Sequence, residues 1–145
     1  MSRRHPRRKT GSGRFARLPL IVLGHESVIT LTHAAFRVLV ILAAQFTGYN
    51  NGALALSKTQ AAKQNISNRT LYRALRTLEC RGLIDRTYPS SRVPPRPTMF
   101  ALTWLAVDDT EWSNATRVPA RTFTDWKPQP VPKKTTPRKL LHAVK

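Results

Sequence analysis

Between residues 69 and 78 two series run side by side at the same spacing. One is Leu71, Leu75 and Leu78; the other is Arg69, Arg73 and Arg76. At about 100° per residue the leucines fall within about 40° of Leu71, and Ala74 within about 60°. The arginines lie about 140–200° away, with Tyr72 at their edge. This spacing predicts a helix over 68–81 with one flank on a core and a cationic flank facing outward. Ser67 is placed to cap its start, and Gly82 stands where a left-handed backbone ends a helix.

The same reading extends along the chain. Thr32 caps a helix running to about Phe46, in which Ala35, Phe36, Val38, Leu39, Val40, Ile41 and Leu42 are apolar on nearly every side. Such a helix lies centrally in a core or meets a partner chain. "TGYNNG" breaks it, with Asn50 and Asn51 read as turn formers, and "ALAL" predicts a short strand. Ser57 followed by Gln60 is a capping-box signal that opens a short helix through Lys63. Beyond Gly82, Leu83 to Tyr88 and Thr98 to Trp104 read as strands. The proline-rich "PSSRVPPRP" (89–97) between them reads as a long, stiff loop rather than a tight turn.

Composition divides the chain. Residues 1–14 hold six basic residues and no acid, which predicts a flexible basic arm. Residues 15–106 are globular in composition. The pattern fades over 107–126, a peripheral segment whose Trp112 and Trp126 are candidates to dock on the body. Residues 127–145 alternate prolines with lysines and predict a disordered basic tail.

Charge changes the picture most. With 25 Lys and Arg against seven acids the formal net charge is +18. Solubility needs a magnitude of only about 2–8. The excess points to a polyanionic partner, nucleic acid before an anionic membrane surface. No apolar run approaches the ~18 residues of a membrane span. "LPLIVLG" imitates a signal-peptide core but lacks a small-x-small cleavage site, so it reads as the lead into the fold. Cys80 is alone and His5, His25, His33 and His142 are scattered, so neither a disulfide, a metal site nor a cofactor is expected. The setting that suits a lone thiol is reducing and cytoplasmic.

Catalysis finds no constellation. His25-Glu26 is a lone dipeptide without a partner nucleophile, and the His-x-His motif of a nicking enzyme is missing. Four of the seven acids lie in or beyond "DDTE", which leaves a two-metal nuclease hard to assemble. The chain does not read as an enzyme, and no small-molecule ligand is evident.

Ala61 at a close helix crossing, Asn65 in a turn that favours φ > 0, Ile66 as a plug, "RTLYRALRTLECRGLI" and the two-strand hairpin together resemble the winged helix-turn-helix superfamily. The resemblance covers about Leu31 to Trp104. "FARLP", "YNNG" and "ALTW" are also similar to segments of small regulatory or replication-associated proteins of phages and plasmids. The resemblance implies a mainly α fold with a small β-wing, and double-stranded DNA as partner. The third helix would enter the major groove by its N-terminal end. Ser67, Asn68, Arg69, Thr70 and Arg73 would reach bases or phosphates, with Tyr72 on the groove wall. Arg69 and Arg73 suit bases, because arginine is the usual bidentate partner of guanine. Lys58, Lys63 and Arg76 suit phosphates, and Arg92 and Arg96 in the wing suit the adjacent backbone or minor groove.

Rival readings stand beside these. Arg76 can pair with Glu79, Tyr72 can cover the core, and Arg81 can answer its own helix dipole. The function expected is a sequence-specific transcription regulator of a bacterium or mobile element, associated with nucleoid or plasmid. The alternatives are a replication-origin binder, a nonspecific basic nucleic-acid-binding protein, and a protein-interaction module. The first long helix and residues 15–28 can form a homodimer interface or cover one another within one chain; both stay open.

Overall fold

The computed structural model describes residues 14–108 and 119–129. These residues adopt an α+β architecture of five α-helices and short antiparallel strands. Two single turns come first: α1 (Leu20–Leu23), opened by Pro19 and closed by Gly24, and α2 (Glu26–Ile29). The His25 ring caps α2, its Nδ1 accepting from the Ser27 N–H at 3.1 Å. Val22 and Val28 are buried, while Leu20, Ile21 and Ile29 stay exposed.

In α3 (His33–Gln45) the Thr32 hydroxyl accepts from the Ala35 N–H at 3.3 Å. Its apolar girth sorts into a buried face, Ala35, Val38, Leu39, Leu42 and Ala43, and a face where Phe36 is exposed. The predicted last residue, Phe46, is its cap. In the following turn Asn50 is a turn former: its Oδ1 accepts from the Thr47 N–H at 2.8 Å and its Nδ2 donates to the Gln45 carbonyl at 2.9 Å.

Asn51 corrects the sequence reading. Its side chain is fully buried. The Oδ1 accepts from the Leu102 N–H at 2.7 Å, and the Nδ2 is shared among the carbonyls of Leu102, Leu105 and Ala106 at 2.9–3.2 Å. A buried amide is tolerable because backbone groups at the end of the sheet satisfy it.

The expected strand at "ALAL" shrinks to one bridge, Leu54 with Phe100. A side chain holds the next residue. The Gln45 amide takes both backbone groups of Ala55, donating to its carbonyl at 2.7 Å and accepting from its N–H at 3.1 Å. Both backbone groups of Leu54 face Phe100, and those of Ala55 point the other way, so Gln45 covers the outer side of this segment.

Next come α4 (Lys58–Lys63), with a complete Ser57–Gln60 capping box, and α5 (Asn68–Cys80). Asn65 turns the chain between them at φ 56°. Ile66 is buried, and α5 lays Leu71, Ala74, Leu75 and Leu78 against α3 and the core. Gly82 ends the helix at φ 69°.

Strand β1 (Ile84–Tyr88) pairs with β4 (Met99–Leu102), Ile84 opposite Leu102, with an irregularity between Arg86 and Tyr88. Residues 89–97 are not a plain loop. They hold a second small ladder of β2 (Ser91–Arg92) and β3 (Pro95–Arg96). Pro89 and Pro97 lack an N–H donor and stand between the two ladders, so one hairpin is cut in two. The Leu54 bridge lies on the other edge of β4, so β4 is central.

Residues 119–129 return to the body. Arg121 N–H donates to the Thr103 carbonyl at 2.8 Å, and a 3-10 turn (Thr122–Asp125) follows. Phe123 is buried in the core, edge-on to His25 with ring centres 5.4 Å apart. The Thr122 hydroxyl donates to the Gly82 carbonyl at 2.8 Å. A Cβ on Gly82 would stand 2.7 Å from the Thr122 carbonyl carbon, so glycine answers both the dihedral and the close approach. A segment expected at the periphery thus supplies a core residue. Residues 1–13, most of the expected basic arm, lie outside the described residues, as do Trp112 and the tail from residue 130. Among the described residues no helix is long and apolar enough to cross a membrane.

Candidate nucleic-acid interface

The first turn of α5 is fixed by Ser67, whose Oγ accepts from the Thr70 N–H at 3.2 Å and lies 2.9 Å from the Thr70 hydroxyl. Ser67 and Thr70 are therefore engaged in closing the helix end, and what they present outward is Asn68 and Arg69, both exposed. One turn on, Tyr72, Arg73 and Arg76 are exposed as well. The leucine flank is buried directly opposite. This division follows from the spacing alone, since side chains three and four apart share a helix face.

The stripe keeps its charge. Glu79 is the acid within reach on the same helix, and it pairs with Arg86 of β1 rather than with Arg76. The Arg86 Nε donates to Oε1 at 3.0 Å and Nη2 to Oε2 at 3.1 Å. A fork on a carboxylate is the better geometry, and β1 delivers it. Among the described residues Arg69, Arg73 and Arg76 have no carboxylate partner.

Tyr72 is 56% exposed, so it does not serve as a lid on the core. Its ring carries the Lys58 ammonium, 5.7 Å from the ring centre. These two side chains rim a cleft of about 360 Å³ between the start of α4 and the hairpin. Ser90, Pro97 and Thr98 form the far wall, and Phe100 is in its floor. Lys63 is not brought to this place. It borders another groove with Ile41 and Gln45 of α3, because a separation of five residues turns it away from Lys58 by about 140°.

On the hairpin Arg92 is exposed, while Arg96 is half-buried with its guanidinium 5.6 Å over the Tyr88 ring. The structure thus gathers Arg69, Arg73 and Arg76 on one face of α5, with Asn68, Tyr72 and Lys58 at its edge. Arg92 and Arg96 sit on a separate projection.

Arg81 is the residue that sequence reasoning left aside. It stands at the C-terminal cap of α5, but its side-chain hydrogen bonds go elsewhere. Its Nη1 donates to the Ser27 carbonyl at 2.8 Å and the Thr30 hydroxyl at 2.6 Å, and its Nη2 to the Thr30 carbonyl at 3.2 Å. It therefore closes the C-terminal end of α2, where carbonyls lack helical partners. Trp126 lies against it, 4.5 Å from guanidinium carbon to ring centre. Partial burial holds the Arg81 pKa below the usual arginine value, yet a guanidinium keeps its proton throughout the working range. Its partners stand more than fifty residues away in sequence, beyond the reach of any local pattern.

No protein-family model, curated protein or solved structure matches this chain.

Proposed function

We propose that the protein is a sequence-specific double-stranded DNA-binding protein of winged helix-turn-helix architecture, of the kind that regulates transcription in a bacterium or mobile element. The observation that carries this reading is the arginine face of α5, capped, exposed and left uncompensated because Glu79 is taken by Arg86. The order of elements supports it: α3, a one-residue bridge strand, α4, α5, then a hairpin whose second strand is central. Size supports it too. A helix with side chains is about 10–12 Å across and the major groove about 12 Å wide.

In this reading Arg69 and Arg73 contact base edges, with Asn68 beside them. Arg76 and Lys58 contact phosphates, and the 89–97 hairpin is the wing, with Arg92 and Arg96 at the neighbouring backbone or minor groove. The net charge of +18 strengthens all of these without sequence preference.

The test is enrichment of bound duplexes from a random pool, followed by binding titrations on enriched and scrambled duplexes between about 50 and 200 mM salt. Affinity for both falls with salt, and the preference for the enriched sequence persists. A pool that yields no enriched sequence sinks this reading in favour of a nonspecific basic binder. Enriched sites that overlap promoters mark a regulator, whereas tandem repeats mark an origin binder.

A further inference from the structure

The arginine face of α5 has two flanks, and each borders a cleft. On the Tyr72 side lies the cleft rimmed by Lys58 and the hairpin. On the other side a larger cleft, about 640 Å³, runs between Thr70 and Thr77 of α5, the first turn of α3 at Thr32 and Ala34, and Trp126. Arg73, Arg76 and Arg81 are among the residues that line it, and no Asp or Glu is. Arg81 is immobilised by Ser27, Thr30 and the Trp126 ring, so its charge is fixed in place before anything binds. Trp126 supplies a flat apolar wall beside it.

A helix that fills the major groove has one strand of the duplex along each flank, because its width nearly equals that of the groove. If one strand passes Lys58 and the hairpin, the other passes over the Trp126 cleft. Charge complementarity then names the occupant. Resting on the DNA-binding reading above, we propose that the Trp126 cleft seats a backbone phosphate of the strand opposite to the one beside Lys58 and the hairpin. Residues 119–129 are thereby part of the DNA-binding surface, with Trp126 packing against the sugar next to that phosphate.

The experiment uses the full chain, the enriched duplex, and duplexes carrying one uncharged methylphosphonate at each position of each strand in turn. The proteins compared are wild type, Ala34→Glu and Ala34→Lys. Position 34 is half-buried in the first turn of α3, where a glutamate suits the helix dipole, and thermal melting checks that both variants fold.

Wild type should lose about tenfold in affinity at neutralised positions on both strands, the size of a charge-assisted hydrogen bond. Ala34→Glu should bind about tenfold more weakly with unchanged base preference, and lose nothing further at the cleft-side position. It should keep the full loss on the other strand, and Ala34→Lys should bind more tightly than wild type.

Equal weakening by both substitutions would mean crowding rather than charge, and overturns the proposal. So does a wild-type pattern of losses in Ala34→Glu, even with sequence preference intact; in that case only the proposal falls. A wild-type protein with no preferred duplex removes the DNA-reading function itself and the proposal with it.

Discussion

Asn50 and Asn51 are neighbours of one residue type in one turn, yet they differ in everything that matters. Asn50 closes the end of α3 at the surface, whereas the buried Asn51 side chain answers one N–H and three carbonyls. Local turn chemistry is the same for both, and the groups that distinguish them lie about fifty positions later in the chain. Asn51→Ala leaves the Leu102 N–H without its acceptor, and an orphaned buried group costs about 1–3 kcal/mol. Several such groups are involved, so we expect about 3 kcal/mol lost in urea unfolding, with an unchanged m-value. At Arg73 the expectation is the reverse. Exposed and free of ion pairs among the described residues, it contributes little to folding. Arg73→Ala should leave the melting temperature in place and relax base discrimination at one position by about 1–3 kcal/mol, read by competition with single-base variants of the enriched duplex.

At the scale of elements, what was legible was what exceeds one helical turn. α3, α4 and α5, their Thr32, Ser57 and Ser67 caps and the Gly82 stop follow from periodicity and end signals. α1 and α2 span four residues each, too few for a 3.6-residue period to register. Leu54 was legible as extended, but not that it would make a single bridge to Phe100 while the Gln45 side chain holds the outer side of the next residue. The pairing of Glu79 was open for a similar reason: Arg76 competes from the same helix and Arg86 from the next strand, and only the fold decides. Because Arg86 holds Glu79 at an exposed site, Glu79→Gln should change stability by less than about 1 kcal/mol. On the proposed function it should also raise affinity for any duplex and steepen the salt dependence, since it removes a negative charge beside the arginine face of α5. Double-mutant cycles should return a coupling of Glu79 with Arg86 and none with Arg76.

For the whole molecule, net charge was the most legible property and the least specific. It points to a polyanion without saying which face meets it. Deletion of residues 1–13 should lower affinity for enriched and scrambled duplexes alike. It should also flatten the salt slope by about 0.9 for each phosphate that the shortened chain no longer neutralises. The ratio between the two duplexes should not move, and titration at several salt concentrations reads both quantities. That Trp126 docks on the body was legible; that Phe123, set among polar neighbours, enters the core was not, because a single buried ring has no period to detect.

That ring has a consequence in time. Phe123 fills a space beside His25, close to where Thr122 meets Gly82, and among the described residues every other buried hydrophobic side chain precedes it in the chain. Removing a buried phenylalanine costs about 3–5 kcal/mol, a large part of the 5–15 kcal/mol that holds a typical domain together. During synthesis, then, the helices and strands emerge from the ribosome ahead of the residue that closes their core. A nascent chain halted before it already bears its full row of arginines on a body still open to chaperones and proteases, so maturation is decided late, by a phenylalanine that touches no ligand.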